Sequence, residues 1–192
     1  MNLNGLVFKI KKHWINLLLY TLLGIFIFSP GAKSWLLKQL VSTGLFNAEI
    51  KKDKNALQVP PSFSFTDSSG KIISTSDLKG KVVFINFWAS WCPPCRAEMS
   101  SLNQLYLELR GDDKFFFLFI NEDDDPLKAK NYIEKDNLSI PFYSRAGDIS
   151  PVIFNGTLPT TVILDKEGKM VLNHHGMAKY NTSEFIRELN AL

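Results

Sequence analysis

The chain has 192 residues, of which 45% are hydrophobic and 12% aromatic, enough for one domain with a sizeable core. Its net charge of +3 is unevenly placed: residues 1–54 carry eight lysines against two acidic residues, whereas the remainder is mildly acidic. A mildly acidic domain without a basic stripe argues against a nucleic-acid partner. The two cysteines, Cys92 and Cys95, are three residues apart, which leaves none for a separate structural disulfide and indicates redox chemistry.

An uncharged apolar run covers residues 14–30, at the lower end of the roughly 17–25 residues that span a bilayer. Lysines are concentrated on its amino-terminal side, at Lys9, Lys11 and Lys12. This bias predicts that residues 1–13 are cytoplasmic and that residues 14–30 are an uncleaved transmembrane anchor. A cleaved signal peptide is the alternative, although Pro30 would then occupy a cleavage-site position that favours a small residue. In either case the domain lies outside the cytoplasm.

Residues 31–58 connect this anchor to the predicted domain at residues 59–192. Within the connection, residues 34–46 have the composition of a short amphipathic helix, which either rests on the membrane surface or acts as a stalk. The charged stretch at residues 51–55 indicates a solvated linker.

The domain is organised around a buried strand that is followed by the two cysteines. Residues 81–86 are rich in β-branched and aromatic side chains, which favours a short core strand. Pro93 and Pro94 suit the first turn of a helix because neither has an N–H group to lose. A helix is therefore predicted to begin beside Cys92 and to run through Cys95. Unpaired N–H groups and the helix dipole favour a thiolate there, and the thiolate is the form that attacks disulfides.

Further elements are predicted on both sides of this unit. A hairpin over residues 62–73 precedes the core strand, and residues 115–120 form a second strand, parallel to the first through a right-handed crossover. The later elements are a helix over 127–136, antiparallel strands over 160–164 and 169–172, and a last helix capped by Asn181 with Glu184. The acidic run at residues 122–125 is interpreted as capping the helix that follows, in preference to a calcium loop or a partner patch, because it lacks calcium-loop spacing.

Three short motifs carry a family resemblance. Residues 87–95 read Phe-Trp-Ala-Ser-Trp-Cys-Pro-Pro-Cys, residues 95–98 read Cys-Arg-Ala-Glu, and residues 156–161 read Gly-Thr-Leu-Pro-Thr-Thr. Over about residues 60–192 the chain resembles the thioredoxin superfamily, specifically the membrane-anchored TlpA/ResA/CcmG-type thiol–disulfide oxidoreductases. The resemblance implies an α/β thioredoxin fold, with a central mixed sheet and helices on both faces, preceded here by the hairpin and a single transmembrane helix.

The resemblance also implies roles for four residues. Cys92 is the attacking thiol, and Cys95 resolves the mixed disulfide by attacking Cys92. Glu98 carries protons to and from Cys95, the alternative being a surface glutamate in the first turn of a helix. Pro159 is expected to follow a cis peptide bond and to pack against the sulfurs, the alternative being a proline that opens an edge strand.

Substrate binding is assigned to the residues that surround the cysteines and the cis-proline, namely Trp91, Pro93, Pro94 and Leu158. Asn86 stands where cytosolic thioredoxins have a buried aspartate, and because asparagine does not titrate this favours Glu98 as the proton carrier. The alternative is that Asn86 only fills a polar, hydrogen-bonding position in the core. Half of a zinc site is the alternative for the cysteine pair, with His13, His174 and His175 as the remaining candidate ligands. We expect no metal and no cofactor other than the redox-active Cys92–Cys95 disulfide.

The implied function is reduction of disulfides in extracytoplasmic proteins, with apocytochrome c among the candidate substrates. The implied location is the bacterial inner membrane, crossed once by residues 14–30, with the domain in the periplasm or outside the cell. A membrane thiol transporter would supply the electrons. A disulfide-forming oxidant, a thiol peroxidase and a non-catalytic thioredoxin-like binding module remain as alternatives.

Overall fold

The computed structural model describes residues 3–44, 46–50 and 59–192, so the linker predicted at residues 51–55 lies outside the described part. The helices are α1 (Leu3–Phe28), α2 (Pro30–Ser42), α3 (Pro93–Leu109), α4 (Pro126–Lys135) and α5 (Ser183–Asn190). The strands are β1 (Ser64–Thr66), β2 (Ile72–Ser74), β3 (Val82–Trp88), β4 (Phe115–Asn121), β5 (Tyr143–Arg145), β6 (Thr160–Leu164) and β7 (Met170–His175). A short 3₁₀ helix, Thr75–Leu78, precedes β3.

The strands form one seven-stranded mixed sheet in the order β2-β1-β5-β4-β3-β6-β7. The core strand β3 is parallel to β4 and antiparallel to β6, with Ile85 opposite Leu118 on one side and Val162 on the other. This arrangement confirms the thioredoxin-like α/β fold. Strands β1 and β2 form an antiparallel hairpin at one edge of the sheet, and β5, which was not predicted, joins that hairpin to β4.

The two faces of the sheet are covered differently, which corrects the expectation of helices on both. One face packs against apolar side chains of α3, α4 and α5, including Met99, Tyr132 and Phe185. Among the described residues, the buried cluster on the other face receives no side chain from an α-helix. That face is covered by the hairpin, by Leu78 of the 3₁₀ helix and by the turn that contains Ile153 and Phe154.

The anchor predicted over residues 14–30 is not one continuous helix. Helix α1 ends at Phe28, and Ser29 caps the start of α2 by accepting a hydrogen bond from the backbone N–H of Ala32 at 3.3 Å. A serine cap followed directly by Pro30 is a strong helix-start signal, so a new helix begins inside the apolar run. In the described part of the chain no lone helix meets the length and hydropathy required to cross a membrane. The pair His13–Phe26 and Gly31–Ser42, bent by 82°, meets that requirement only when both are taken together.

Part of the predicted connection, residues 46–50, packs onto the domain. The backbone of Lys179 accepts a hydrogen bond from the N–H of Ala48 at 3.0 Å and donates one to the carbonyl of Phe46 at 2.7 Å. Ala48 and Ile50 are buried in the same cluster as the cysteines. The connection therefore contributes to the core before the predicted domain begins.

Two predicted helix starts can be compared with the structure. Asp125 caps α4 by accepting the backbone N–H of Leu127 at 3.0 Å, as the acidic run suggested. For α5 the cap is Thr182 rather than Asn181, because the Thr182 hydroxyl accepts the backbone N–H of Phe185 at 3.2 Å. The side chain of Asn181 instead donates to Gln104 on α3.

Candidate functional site

The two cysteines lie at the start of α3 and are joined as a disulfide, with their Cα atoms 5.3 Å apart. Cys92 is the N-cap residue, and its Sγ accepts a hydrogen bond from the backbone N–H of Cys95 at 3.2 Å. Pro93 and Pro94 occupy the first two helical positions, where a missing N–H leaves no helical hydrogen bond unmade. When the disulfide opens, the same N–H and the helix dipole would stabilise a thiolate on Cys92.

The turn between β3 and α3 is held by a carboxylate from the neighbouring strand. Asp123 lies just after β4, and it accepts the backbone N–H of Ser90 at 2.9 Å and the Ser90 hydroxyl at 2.8 Å. Asn121 supplies a third donor to Asp123, its side-chain amide at 2.6 Å. The Cys92 N–H bonds to the carbonyl of Ala89 at 3.2 Å and closes the turn. We call this contact of Asp123 with Ser90 the Asp123 brace. The sequence analysis assigned the acidic run to helix capping and did not predict the brace, because it depends on the register of β3 and β4, which is not a local signal.

Glu98 is completely buried on α3, one helical turn after Cys95, which excludes the surface-glutamate alternative. Its carboxylate accepts the side-chain amide of Asn86 at 2.9 Å and the backbone N–H of Ala178 at 3.1 Å. Burial penalises the charged form and raises the pKa of Glu98 to about 8, although both hydrogen bonds act in the opposite direction. That pKa is close to the value of about 8.5 for an ordinary thiol, so the carboxyl group is matched to proton exchange with a cysteine.

A buried polar chain extends from Glu98 across the sheet. The Asn86 amide also donates to the hydroxyl of Thr161 at 2.9 Å, and the hydroxyl of Tyr180 donates to the same Thr161 oxygen at 2.8 Å. The Oδ1 atom of Asn86 is buried and has no partner among the described residues. A half-turn of the amide would point Oδ1 towards Glu98, where it can accept a hydrogen bond from the protonated carboxyl group. The Asn86 side chain can thus serve both protonation states of Glu98.

The second predicted motif lies at the start of β6. The peptide bond between Leu158 and Pro159 is cis, as the resemblance implied. Pro159 is buried, and its carbonyl accepts the N–H of Gly176 at 2.9 Å. Leu158 is half-buried against the cluster that contains both cysteines, and its backbone makes no hydrogen bond to another described residue. Its peptide groups are therefore available to pair with an extended chain.

The other predicted substrate-binding residues differ in their exposure. The side chain of Trp91 is 59% exposed, whereas Trp88 is fully buried against Tyr132. Pro93 and Pro94 are half-buried. Trp91 with the two prolines thus presents an apolar rim beside the buried disulfide, a surface suited to a protein partner.

Of the histidines considered as zinc ligands, His175 has a side-chain partner in the structure. His175 is hydrogen-bonded through Nδ1 to the hydroxyl of Thr160 at 2.9 Å, and that hydroxyl donates to the carbonyl of Thr157. Burial lowers the pKa of the neighbouring His174. Across residues 3–44, 46–50 and 59–192 no three side chains of His, Cys, Asp or Glu are close enough together to hold a metal ion.

Comparison with family models gives a match to Redoxin over residues 54–185. Among curated proteins, the thiol–disulfide oxidoreductase ResA of Bacillus cereus is 31% identical over 176 residues, which are 91% of this chain and 97% of the relative.

Solved structures show the same architecture. StoA of Bacillus subtilis aligns with a TM-score of 0.55 at 24% identity, over 69% of this chain and 98% of that protein. The exposed lipoprotein thioredoxin Etrx1 of Streptococcus pneumoniae aligns with a TM-score of 0.56 at 26% identity, over 69% of this chain and 100% of that protein.

Proposed function

We propose that this chain, which belongs to the redoxin family and is a thiol–disulfide oxidoreductase of the ResA type, reduces disulfide bonds of proteins outside the cytoplasm. The observation that carries the proposal is the Cys92–Cys95 disulfide at the start of α3, one turn before a buried carboxyl group. Apocytochrome c, whose haem-binding cysteines must be reduced before haem attachment, is a candidate substrate.

The reaction begins with the reduced pair. The Cys92 thiolate attacks one sulfur of a substrate disulfide, which forms a mixed disulfide and releases the other substrate sulfur as a thiolate. Cys95 then attacks the Sγ of Cys92, so that the Cys92–Cys95 disulfide forms and the second substrate sulfur leaves. Two electrons have passed from the protein to the substrate. A membrane dithiol donor would return the oxidised protein to the reduced state.

In this scheme Glu98 exchanges a proton with Cys95. Cys95 must lose its proton before it can attack, and Glu98 on the same helix can accept that proton once it has itself given one up, because a pKa of about 8 makes its carboxylate a stronger base than an ordinary one. The reverse transfer returns the proton to Cys95 when the donor reduces the disulfide. The released substrate thiolates take their protons from water.

The proposed location is the outer side of a membrane, with the apolar run at residues 14–30 as the anchor. The apolar run, the lysines that precede it and the similarity to an exposed lipoprotein thioredoxin support this location. The proposed substrate contacts are Trp91, Pro93, Pro94 and the backbone of Leu158. An extended substrate strand would pair with Leu158 while its cysteine approaches Cys92.

The test is a trapping experiment with the full chain. Cys95→Ser should accumulate mixed disulfides through Cys92, because the resolving thiol is absent, and the captured proteins can be identified by mass spectrometry. The matched Cys92→Ser variant should trap nothing. Failure of Cys95→Ser to hold any disulfide-linked protein would contradict the scheme. A reduction potential near the value of about −120 mV of strong oxidants would instead make the protein a disulfide-forming oxidant.

A further inference from the structure

Helix α2 carries apolar side chains on two opposite faces. One face packs against α3: Val41 is only 4% exposed, and it lines a cleft together with Ala97 and Ser101 of that helix. Ser34, two turns before Val41 on the same face, is also buried. The domain therefore covers this face of α2.

The opposite face of α2 is also apolar although it points away from the domain. Trp35, Leu36 and Leu40 are 64%, 40% and 38% exposed. At about 100° per residue, these three side chains and Gln39 share one side of the helix. A helix on the surface of a water-soluble domain normally has polar residues on its outer side. The outward face of α2 is therefore suited to an apolar neighbour.

Lysines border this face on each edge. Lys33 lies beside Leu40 on one edge, and Lys38 lies beside Trp35 on the other. Long lysine side chains that flank an apolar strip can reach the phosphates of a lipid headgroup layer, while a tryptophan in the strip suits the boundary between headgroups and acyl chains. This combination distinguishes a lipid surface from a protein groove.

The orientation of α2 relative to α1 is consistent with a lipid surface on this face. The segments His13–Phe26 and Gly31–Ser42 are bent by 82° with respect to each other. With the apolar part of α1 as the proposed anchor, a helix nearly perpendicular to it runs along the membrane surface. The turn is set locally, because Ser29 caps α2 and Pro30 occupies its first position.

We propose that α2 lies in the outer headgroup layer of the membrane, with Trp35, Leu36 and Leu40 facing the acyl chains and its other face holding α3. This inference rests on the anchoring that is part of the proposed function. Because α3 begins at the redox-active cysteines, a membrane-bound α2 fixes the orientation of the disulfide relative to the membrane.

The experiment uses the full chain in vesicles of phosphatidylcholine and phosphatidylglycerol, with and without bromine on the upper part of the acyl chains. Bromine quenches tryptophan fluorescence at short range. Trp14→Phe isolates the contribution of Trp35, Trp35→Phe isolates that of Trp14, and the double variant leaves only Trp88 and Trp91 of the domain. We expect quenching in each single variant and none in the double variant.

The outcomes separate the inference from its premise. If Trp35→Phe is quenched and Trp14→Phe behaves like the double variant, the anchor stands and the inference about α2 is overturned. If neither single variant is quenched, the anchoring itself fails. If the emission of Trp35 changes with protein density but not with bromine, the face binds a second copy of the chain, which also overturns the inference. The trapping reaction in detergent reports on the redox function independently.

A second variant tests the face directly. Leu36→Ser with Leu40→Ser should shift the emission of Trp35 to longer wavelength and remove its quenching, since the helix leaves the lipid. Gln39→Ser, on the same face but already polar, is the matched control and should leave both signals unchanged. Unchanged quenching in the double serine variant would contradict the assignment of this face to lipid.

Discussion

Two carboxylates support the same pair of cysteines, and their surroundings give them different chemistry. Glu98 is fully buried on α3, it accepts two hydrogen bonds, and its pKa rises to about 8. Asp123 is half-exposed after β4 and accepts three hydrogen bonds, two of them from Ser90. The buried carboxyl group can exchange a proton near neutral pH, whereas the half-exposed one holds the turn before Cys92 through its three hydrogen bonds.

The comparison indicates that burial, more than the number of hydrogen bonds, sets the pKa of Glu98. No lysine or arginine is paired with Glu98 among the described salt bridges, so nothing offsets the loss of solvation when its carboxyl group ionises. Asp123 keeps part of its solvation. Substitutions at the two positions should therefore change the free energy of unfolding by different amounts, and the effect at Glu98 should depend on pH.

The largest expected effect is on stability as a function of pH. The folded protein keeps Glu98 protonated up to about pH 8, whereas the unfolded chain releases that proton near its ordinary pKa of 4.5. The stabilisation is complete below pH 4.5 and is lost as the pH rises towards 8 and above. At about 1.4 kcal/mol per pKa unit, the free energy of unfolding should fall by about 5 kcal/mol over this range.

The measurement is chemical denaturation of the oxidised protein, in which the cysteines do not titrate, between pH 4 and 9. Glu98→Gln should lack this loss, because its neutral amide can accept the N–H of Ala178 and, after a half-turn of the Asn86 amide, donate to Oδ1 of Asn86. The histidines contribute equally to both proteins, so the difference between their free energies of unfolding at each pH reports on Glu98 alone. Parallel stability curves for the two would show that Glu98 ionises normally.

The next effect is on the rate of disulfide exchange. Glu98→Gln removes the group that is proposed to accept the proton of Cys95, so turnover at neutral pH should fall about 100-fold, the lower end of what general acid–base catalysis contributes. The pH dependence near 8 should disappear from the rate of the second step. Glu134→Gln, an exposed position on α4, is the control and should leave the rate unchanged. Identical pH–rate profiles for Glu98→Gln and the parent would remove the proton-carrier role.

A smaller effect is expected at the brace. Asp123→Asn removes the negative charge and replaces one acceptor oxygen by an NH₂ group, so the charge-assisted hydrogen bonds from the N–H and the hydroxyl of Ser90 are weakened or reversed. The free energy of unfolding should fall by about 2 kcal/mol. The measurement is chemical denaturation of the oxidised protein at one fixed pH. Asp124→Asn, which is exposed and adjacent, should change stability by less than about 0.5 kcal/mol. An unchanged free energy of unfolding for Asp123→Asn would contradict the brace.

The smallest effect is expected at the far end of the polar chain. Tyr180→Phe removes the hydroxyl that donates to Thr161 but keeps the ring contacts with Phe84 and Phe185. Stability should fall by about 1 kcal/mol. The pH at which stability declines should not move, since the Tyr180 hydroxyl does not bond to Glu98. A shift of that midpoint in denaturation curves would show that Tyr180 also controls the proton affinity of Glu98.

The sequence was informative where the signal is local. Pro93 and Pro94 after Cys92 predicted the start of α3, and the apolar runs predicted β3 and β4 as parallel strands. The cis bond before Pro159 followed from the resemblance. The short strand β5 was not predicted, because three residues carry too little periodicity to be distinguished from a loop.

Features that depend on tertiary packing were harder to predict. The complete burial of Glu98 requires Ala178, Asn86 and the sheet to meet around it, and spacing on one helix does not reveal this. The contact between Asp123 and Ser90 depends on the register of β3 and β4. The break at Ser29 was visible as a cap followed by proline, but the apolar run around it favoured a single anchor.

The pairing of residues 46–50 with Lys179 has a consequence for how the catalytic part is isolated. Lys179 follows Ala178, the residue whose N–H bonds to Glu98, and Ile50 bonds through its N–H to Glu188 on α5. A soluble fragment that starts at residue 59 would uncover the apolar surface beneath Ala48 and Ile50 and loosen the segment that seals the carboxyl pocket. The pKa of Glu98 measured on such a shortened protein would therefore describe a more solvated carboxyl group than the one in the full chain.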